Sequence, residues 1–222
     1  MKREIITTAD GSTTIHLPEW NEQYHSKHGA ILEAMHVFIE SGLNHWIGQH
    51  PNEPISILEI GFGTGLNAFL NLIEASNKNL TLTYTGIEAY PIQSSEIKQL
   101  NYAAMLKASE KDFMRLHEVE WEHPSKINLN FQLIKKKMFF SEIDDELTHD
   151  LIYFDAFGPR VQPELWTEEV FKKMFLALQP KGILVTYSAT GSVRRAMQTV
   201  GFTVERLPGP PGKREMLRGT KD

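Results

Sequence analysis

The stretch that most constrains this chain is an apolar run ending in three alternate glycines, Ile57-Leu58-Glu59-Ile60-Gly61-Phe62-Gly63-Thr64-Gly65. The run reads as a buried strand and the residues after Gly65 as a helix. Glycines at such a junction let the backbone bend sharply and approach a ligand closely. The following helix offers free N–H groups to polar ligand atoms. A dinucleotide fingerprint requires G-x-G-x-x-G. Here the third glycine arrives one residue early and position 66 is Leu.

Around this loop strand and helix patterns alternate. The first 20 residues read as irregular or strand-like, with a turn at Asp10-Gly11 between Thr7-Thr8 and Thr13-Thr14. A helical pattern covers Gly29 to Ile47, where Ile31, Leu32, Met35, Phe38, Ile39 and Leu43 recur at three- and four-residue spacing. Pro51-Asn52-Glu53-Pro54 breaks it. Strands are then expected near Leu80–Glu88, Leu129–Ile134, Asp150–Asp155 and Gly182–Ser188. Helices are expected at 65–75, after Pro91, and at 112–122, 163–178 and 192–200, before a hairpin of Phe202–Leu207 with Glu215–Gly219. This order predicts an α/β fold, with a mostly parallel sheet, helices on both faces and a C-terminal antiparallel hairpin. Two parts are expected: an N-terminal extension and helix over 1–50 that packs on the ligand site, and the α/β domain over 51–222.

Ligands of such sheets bind beyond the carboxyl ends of the strands. The second strand ends in Gly86-Ile87-Glu88, with Glu88 23 residues after Gly65. A carboxylate there suits a ribose diol, because it accepts from both hydroxyls. Another strand ends in Phe154-Asp155-Ala156-Phe157-Gly158-Pro159, which places Asp155 at the mouth of the sheet with Phe157 and Pro159 shaping a pocket. Solvated strand caps are the plain alternative for both acids.

The 222 residues carry no cysteine, which excludes disulfides and thiolate metal sites. His25 and His28 have no third ligand at metal spacing, so no metal is expected. No apolar run approaches a membrane span and no signal peptide opens the chain, so a cytoplasmic location is expected. The net charge of -5 means that any nucleic-acid contact needs a local basic patch. Lys135-Lys136-Lys137, Arg160, Arg194-Arg195, Arg206 and Lys213-Arg214 are candidates for such a rim, with ordinary solvated charge as the alternative. Trp46, Trp121 and Trp166 read as packing residues, and Asp144-Asp145-Glu146 as a solvated loop.

The glycine loop and Glu88 together match the pattern of class I S-adenosylmethionine-dependent methyltransferases, which have a Rossmann-like fold. More specifically, the chain resembles the methyltransferase domain of the MnmC-type tRNA wobble-uridine enzymes from about Tyr24 to Gly219. The matching strings are Tyr24-His25-Ser26 with Gly29 and Glu33, Gly61-Phe62-Gly63-Thr64-Gly65-Leu66-Asn67, Glu88-Ala89-Tyr90-Pro91 and Asp155-Ala156-Phe157-Gly158-Pro159. Pro163-Glu164-Leu165-Trp166-Thr167, Val193-Arg194-Arg195 and Gly212-Lys213-Arg214-Glu215-Met216 complete them, in the family's order. The resemblance implies S-adenosylmethionine contacts from Tyr24, Gly61, Gly63, Asn67 and Glu88, alongside Glu59 and Gly65 of the loop. It implies Asp155 beside the transferred methyl, an aminomethyl group on tRNA uridine 34 as substrate, and Phe157, Arg160, Lys213 and Arg214 on the substrate side. Where the family usually has Gly-Asp after the third strand, this chain has Lys136-Lys137. Bifunctional relatives also carry a flavin oxidase domain after this one. A chain ending at Asp222 leaves that step to a separate flavin oxidase acting upstream.

Methyl transfer to an amine needs a neutral nitrogen, whereas a free alkylamine is mostly protonated near neutral pH. Asp155 is expected to orient the N–H groups, relay the proton or stabilise the ammonium. Other readings are a methyltransferase for a small amine or a protein, an aminopropyltransferase, and a binding module without turnover. A single acid in the Asp155 loop argues against the second, and Asp155 beside an intact glycine loop against the third.

Overall fold

The alternation of apolar strands and amphipathic helices is realised as an eight-stranded sheet in a computed structural model that describes residues 2–222. In chain order the strands are β1 Glu4–Thr7, β2 Thr13–Leu17, β3 Glu22–Gln23, β4 Ile55–Ile60, β5 Leu82–Ile87 and β6 Ser125–Lys126. They continue with β7 Phe131–Lys136, β8 His149–Phe154, β9 Leu178–Thr186, β10 Thr203–Pro208 and β11 Glu215–Thr220. The main sheet runs β10-β11-β9-β8-β4-β5-β7-β6. The pairings from β9 through β8, β4 and β5 to β7 are parallel. The edges are antiparallel, with β6 against β7 and the β10–β11 hairpin against β9.

Side-chain alternation explains why both faces are covered. Ile57, Leu151, Tyr153, Ile183 and Val185 enter one core layer, under helices Ala30–Ala34, Leu66–Lys78 and Glu110–Glu118. Leu58, Ile60, Ile152, Phe154 and Leu184 enter the other, under Glu168–Ala177 and Gly191–Thr199. Strands buried on both faces belong to parallel sheets. Strand order reverses beside β4, since the chain goes on through β5 to one side and returns through β8 to the other. A crevice opens at that point.

The helical pattern near the N-terminus runs as Ala30–Ala34, a wider π-type segment Met35–Asn44, and His45–Gln49. Its buried stripe differs from the expected one. Ala30, Glu33, Ala34 and Val37 face inward, whereas Leu32 is exposed, because small residues let the helix lie close to the sheet. Val37, Phe38, Ile39 and Leu43 join the main core layer. The segment expected as one helix over 163–178 divides into a short turn Pro163–Trp166 and the helix Glu168–Ala177, and Leu178 already opens β9.

Strands β1 to β3 form a separate antiparallel sheet, which sits against the glycine loop and the first helix. Asp10, in the β1–β2 turn, accepts from Ser12 N–H at 2.9 Å and Leu32 N–H at 3.1 Å. Asn101 accepts from Thr13 N–H and donates to Gly11 O.

Candidate active site

Strand β4 delivers the glycine loop to the crevice. Gly61 and Phe62 both donate backbone N–H groups to Ile87 O, at 3.1 and 2.9 Å, so the loop is sewn to the end of β5. Gly61, Gly63 and Gly65 all have positive φ, at 94°, 49° and 73°. A Cβ on Gly61 would meet Asp155 O at 2.8 Å, and one on Gly63 the Tyr24 ring at 3.1 Å. Side chains are therefore excluded from the cradle both by conformation and by space.

Around the loop lies a cleft of about 1450 Å³, lined by residues that include Tyr24, Glu33, Gly61, Gly63, Glu88, Asp155, Phe157 and Arg160. It exceeds the roughly 300–1,000 Å³ of an ordinary small-ligand pocket. Glu88 accepts from Gly63 N–H at 3.0 Å through one oxygen and from Tyr90 N–H at 2.8 Å through the other. Each oxygen keeps a lone pair for a ligand hydroxyl. Tyr24 meets Phe157 edge-on at 5.0 Å, and Trp20 meets Phe157 at 5.7 Å. Burial pushes the Tyr24 phenol up to about 12, against the charge of Arg3, so it stays a neutral donor.

Asp155 follows β8, with its N–H donating to Ile60 O at 3.0 Å. Its carboxyl and that of Glu59 are bridged by one amide, as Asn67 Nδ2 donates to Glu59 Oε1 at 2.8 Å and Asp155 Oδ2 at 2.9 Å. Burial, then the nearby Glu33 carboxylate, push Asp155 well above the ordinary carboxylate range, against the Asn67 hydrogen bond and the Lys213 charge. Burial and the Asp155 charge push Glu59 in the same direction. Tyr187 donates to Ala156 O and Trp166 Nε1 to Phe157 O, each at 2.8 Å, which holds the loop after Asp155 in place.

The residues singled out in the sequence separate into two groups. Tyr24, Gly61, Gly63, Glu88, Asp155, Phe157, Arg160 and Lys213 line one cleft. Glu59, Gly65 and Asn67 stand behind the wall and are buried; strand alternation turns Glu59 inward, and Asn67 reaches the site through Asp155. Arg214 is exposed and off the cleft lining.

The expected basic rim is only partly a rim. On β7 alternate residues are buried, so Lys135 points inward and donates to His117 O at 2.7 Å. Lys136 pairs with Asp145 at 3.2 Å. Asp145, expected in a solvated loop, is thus partly buried between Lys136 and His149. Arg160 pairs with Glu22, and Arg206 with Glu215. Lys213 turns into the cleft to pair with Glu33 at 2.5 Å. Sequence reasoning gave no role to Glu33 or Tyr187. The signal for Glu33 was a carboxylate on the stripe Ala30, Glu33, Ala34, Val37. Tyr187 had none, because its position depends on the loop after β9.

This geometry agrees with a known family. The family described as S-adenosyl-L-methionine-dependent methyltransferase matches residues 95–222, more than half of the chain. The chain belongs to the S-adenosyl-L-methionine-dependent methyltransferases. This methyltransferase is also 28% identical over 210 residues to the tRNA 5-methylaminomethyl-2-thiouridine biosynthesis bifunctional protein MnmC of Leptospira borgpetersenii, covering 90% of this chain and 32% of that protein. The chain thus spans about a third of the length of the curated relatives it matches. The crystal structure of MNMC2 from Aquifex aeolicus superposes with a TM-score of 0.76 at 26% identity, over 100% of this chain and 71% of that one. Spermidine synthase from Thermotoga maritima shares the fold alone, with a TM-score of 0.56 at 14% identity over 100% of this chain and 72% of its own. No helix among the described residues is long and apolar enough to cross a membrane.

Proposed function

We propose that this methyltransferase N-methylates the 5-aminomethyl group of wobble uridine 34 in tRNA, with Asp155 as the group that receives the amine. The observation that carries this reading is Asp155 itself, a carboxyl in a desolvated cleft beside the glycine cradle. An alkylammonium and a free aspartate differ widely in proton affinity, at about 10.4 against about 3.9. A carboxyl pushed up by burial narrows that gap. Proton transfer from the ammonium to Asp155 also turns an ion pair into two neutral groups, which a low dielectric favours.

The residues present fit the cofactor. Glu88 has lone pairs left for the ribose hydroxyls, and Gly61 and Gly63 allow close backbone approach. Tyr24 covers the loop from the N-terminal side, so residues 1–50 furnish one wall of the site, while 51–222 supply the sheet. Glu59, Gly65 and Asn67 act from behind, by holding Asp155 and the loop. At the adenine end, Lys137 stands where the family has its acid and is exposed, off the cleft lining, while Tyr90, Phe139 and Ser141 line the cleft. When bound, S-adenosylmethionine supplies an electrophilic methyl carbon whose bonding pair leaves with sulfur. The chain's own part is to desolvate the amine, accept its proton at Asp155 and hold the nitrogen in line.

On the substrate side, Phe157 presents an aromatic wall, Lys213 stands inside, and Arg160 and Arg214 are exposed for phosphates. A tRNA substrate places the work in the cytoplasm. The aminomethyl group would be released by a flavin oxidase acting before this step.

The test uses tRNA bearing 5-aminomethyl-2-thiouridine and methyl-labelled cofactor. Label is expected at uridine 34 as the methylaminomethyl nucleoside. Unlabelled tRNA, with an unchanged wobble-nucleoside profile in a deletion strain, would leave a methyltransferase for another amine.

A further inference from the structure

In the cleft that holds Asp155, a second carboxylate already holds an amine. Glu33 is buried, with Oε2 accepting Ser26 N–H at 2.8 Å and Oε1 the Lys213 ammonium at 2.5 Å. The same ammonium lies 3.7 Å from the centroid of the Tyr187 ring. A carboxylate and an aromatic face are the two surfaces that recognise a primary alkylammonium. Lys213 reaches them from the loop between β10 and β11, and its side chain is one third exposed, so it can swing away. Glu33, Lys213, Tyr187 and Asp155 all line one cleft.

We propose that Glu33 and Tyr187 form the niche for the substrate's ammonium, and that Lys213 is a resident stand-in displaced as the substrate enters. This rests on the reading of an amine substrate and deepens it. Lys213 and a protonated aminomethyl group share a charge and three N–H donors on a primary carbon. Burying a second unpaired cation in the cleft is costly, so exchange rather than addition keeps the charge balanced. The exchange also brings the ammonium to the cleft wall that holds Asp155. Lys213 is thus a competitor of the substrate amine, and not a ligand of tRNA phosphates.

Binding is measured with the demethylated cofactor product present, using tRNA with 5-aminomethyl-2-thiouridine and the same tRNA with unmodified uridine 34. Wild-type protein should prefer the amine-bearing tRNA. Glu33→Gln should lose about tenfold or more of that preference and bind the control tRNA as before. Lys213→Met should bind the amine-bearing tRNA at least as tightly as wild type, with an unchanged salt slope. A second arm is independent of tRNA. n-Propylammonium should raise the Tm of Lys213→Ala and not that of Lys213→Ala/Glu33→Gln. A folded Glu33→Gln that keeps the full preference overturns the proposal. So does a Lys213→Met that weakens both tRNAs alike with a shallower salt dependence. If wild type labels no tRNA, the substrate reading fails, and the propylammonium arm decides the niche by itself.

Discussion

Glu88 and Asp155 end neighbouring parts of the sheet yet do different work. Glu88 ties Gly63 and Tyr90 by their N–H groups while facing the cleft. Glu88→Ala removes a charged acceptor, and such a loss costs about 1.5–3 kcal/mol, or roughly ten- to hundredfold in affinity. Calorimetry with S-adenosylmethionine should show that weakening in a folded variant, and an unchanged Kd would reduce Glu88 to a strand cap. Asp155→Asn keeps the shape and an acceptor for Asn67 but removes the proton acceptor. Turnover should fall about 10²- to 10⁴-fold, the usual scale of a general base. The cofactor Kd should stay within a few-fold, because the role proposed for Asp155 is towards the amine and not the adenosine. Wild-type turnover in this variant on tRNA bearing 5-aminomethyl-2-thiouridine would remove Asp155 from the mechanism.

At the scale of elements, His25 connects the small N-terminal sheet to the glycine loop. Its Nδ1 meets Thr14 Oγ1 at 2.9 Å and its Nε2 meets Thr64 Oγ1 at 3.5 Å. Burial pushes its imidazole down to about 4, from an ordinary value near 6.5. The folded chain therefore holds His25 neutral where the unfolded chain protonates it. The resulting stability is present above about pH 6.5 and is lost as pH falls towards 4, by up to about 3 kcal/mol. Asp155 and Glu59, pushed up, work in the opposite direction. The clean measurement is thus the difference in unfolding free energy between wild type and His25→Gln, taken from pH 7 to pH 4. That difference should shrink by most of its size across the window. A constant difference would mean that His25 is accessible to protons in the folded state.

For the whole molecule, the cofactor couples parts that lie far apart in sequence. Tyr24 and Arg3 come from the N-terminal segment, Gly63 from the loop after β4 and Glu88 from the residue after β5, and all line one cleft. A ligand that binds only this assembled state stabilises it by about 2.7 kcal/mol at one hundred times its Kd. In a chain of this size that is a rise in Tm of roughly 5–10 °C. S-adenosylmethionine or its demethylated product should give that shift, and NAD should give none. A shift with NAD alone would contradict the reading of the alternate-glycine loop.

The strand–loop–helix unit at Ile57–Gly65 was legible in sequence because each requirement is local: an apolar strand, positive φ at three glycines, and a helix start. The α/β class, the terminal hairpin and the acids at 88 and 155 followed from periodicity, which registers which face is buried. Other features needed the tertiary structure. A single lysine triplet looks alike in sequence, yet the β7 pleat buries Lys135, pairs Lys136 with Asp145 and leaves Lys137 exposed. Lys213 and Arg214 are adjacent, yet one turns into the cleft and the other to solvent. Glu33 and Lys213 are 180 residues apart, and nothing local relates them. Their pairing depends on the hairpin loop reaching the first helix, so it arises only when the sheet is complete.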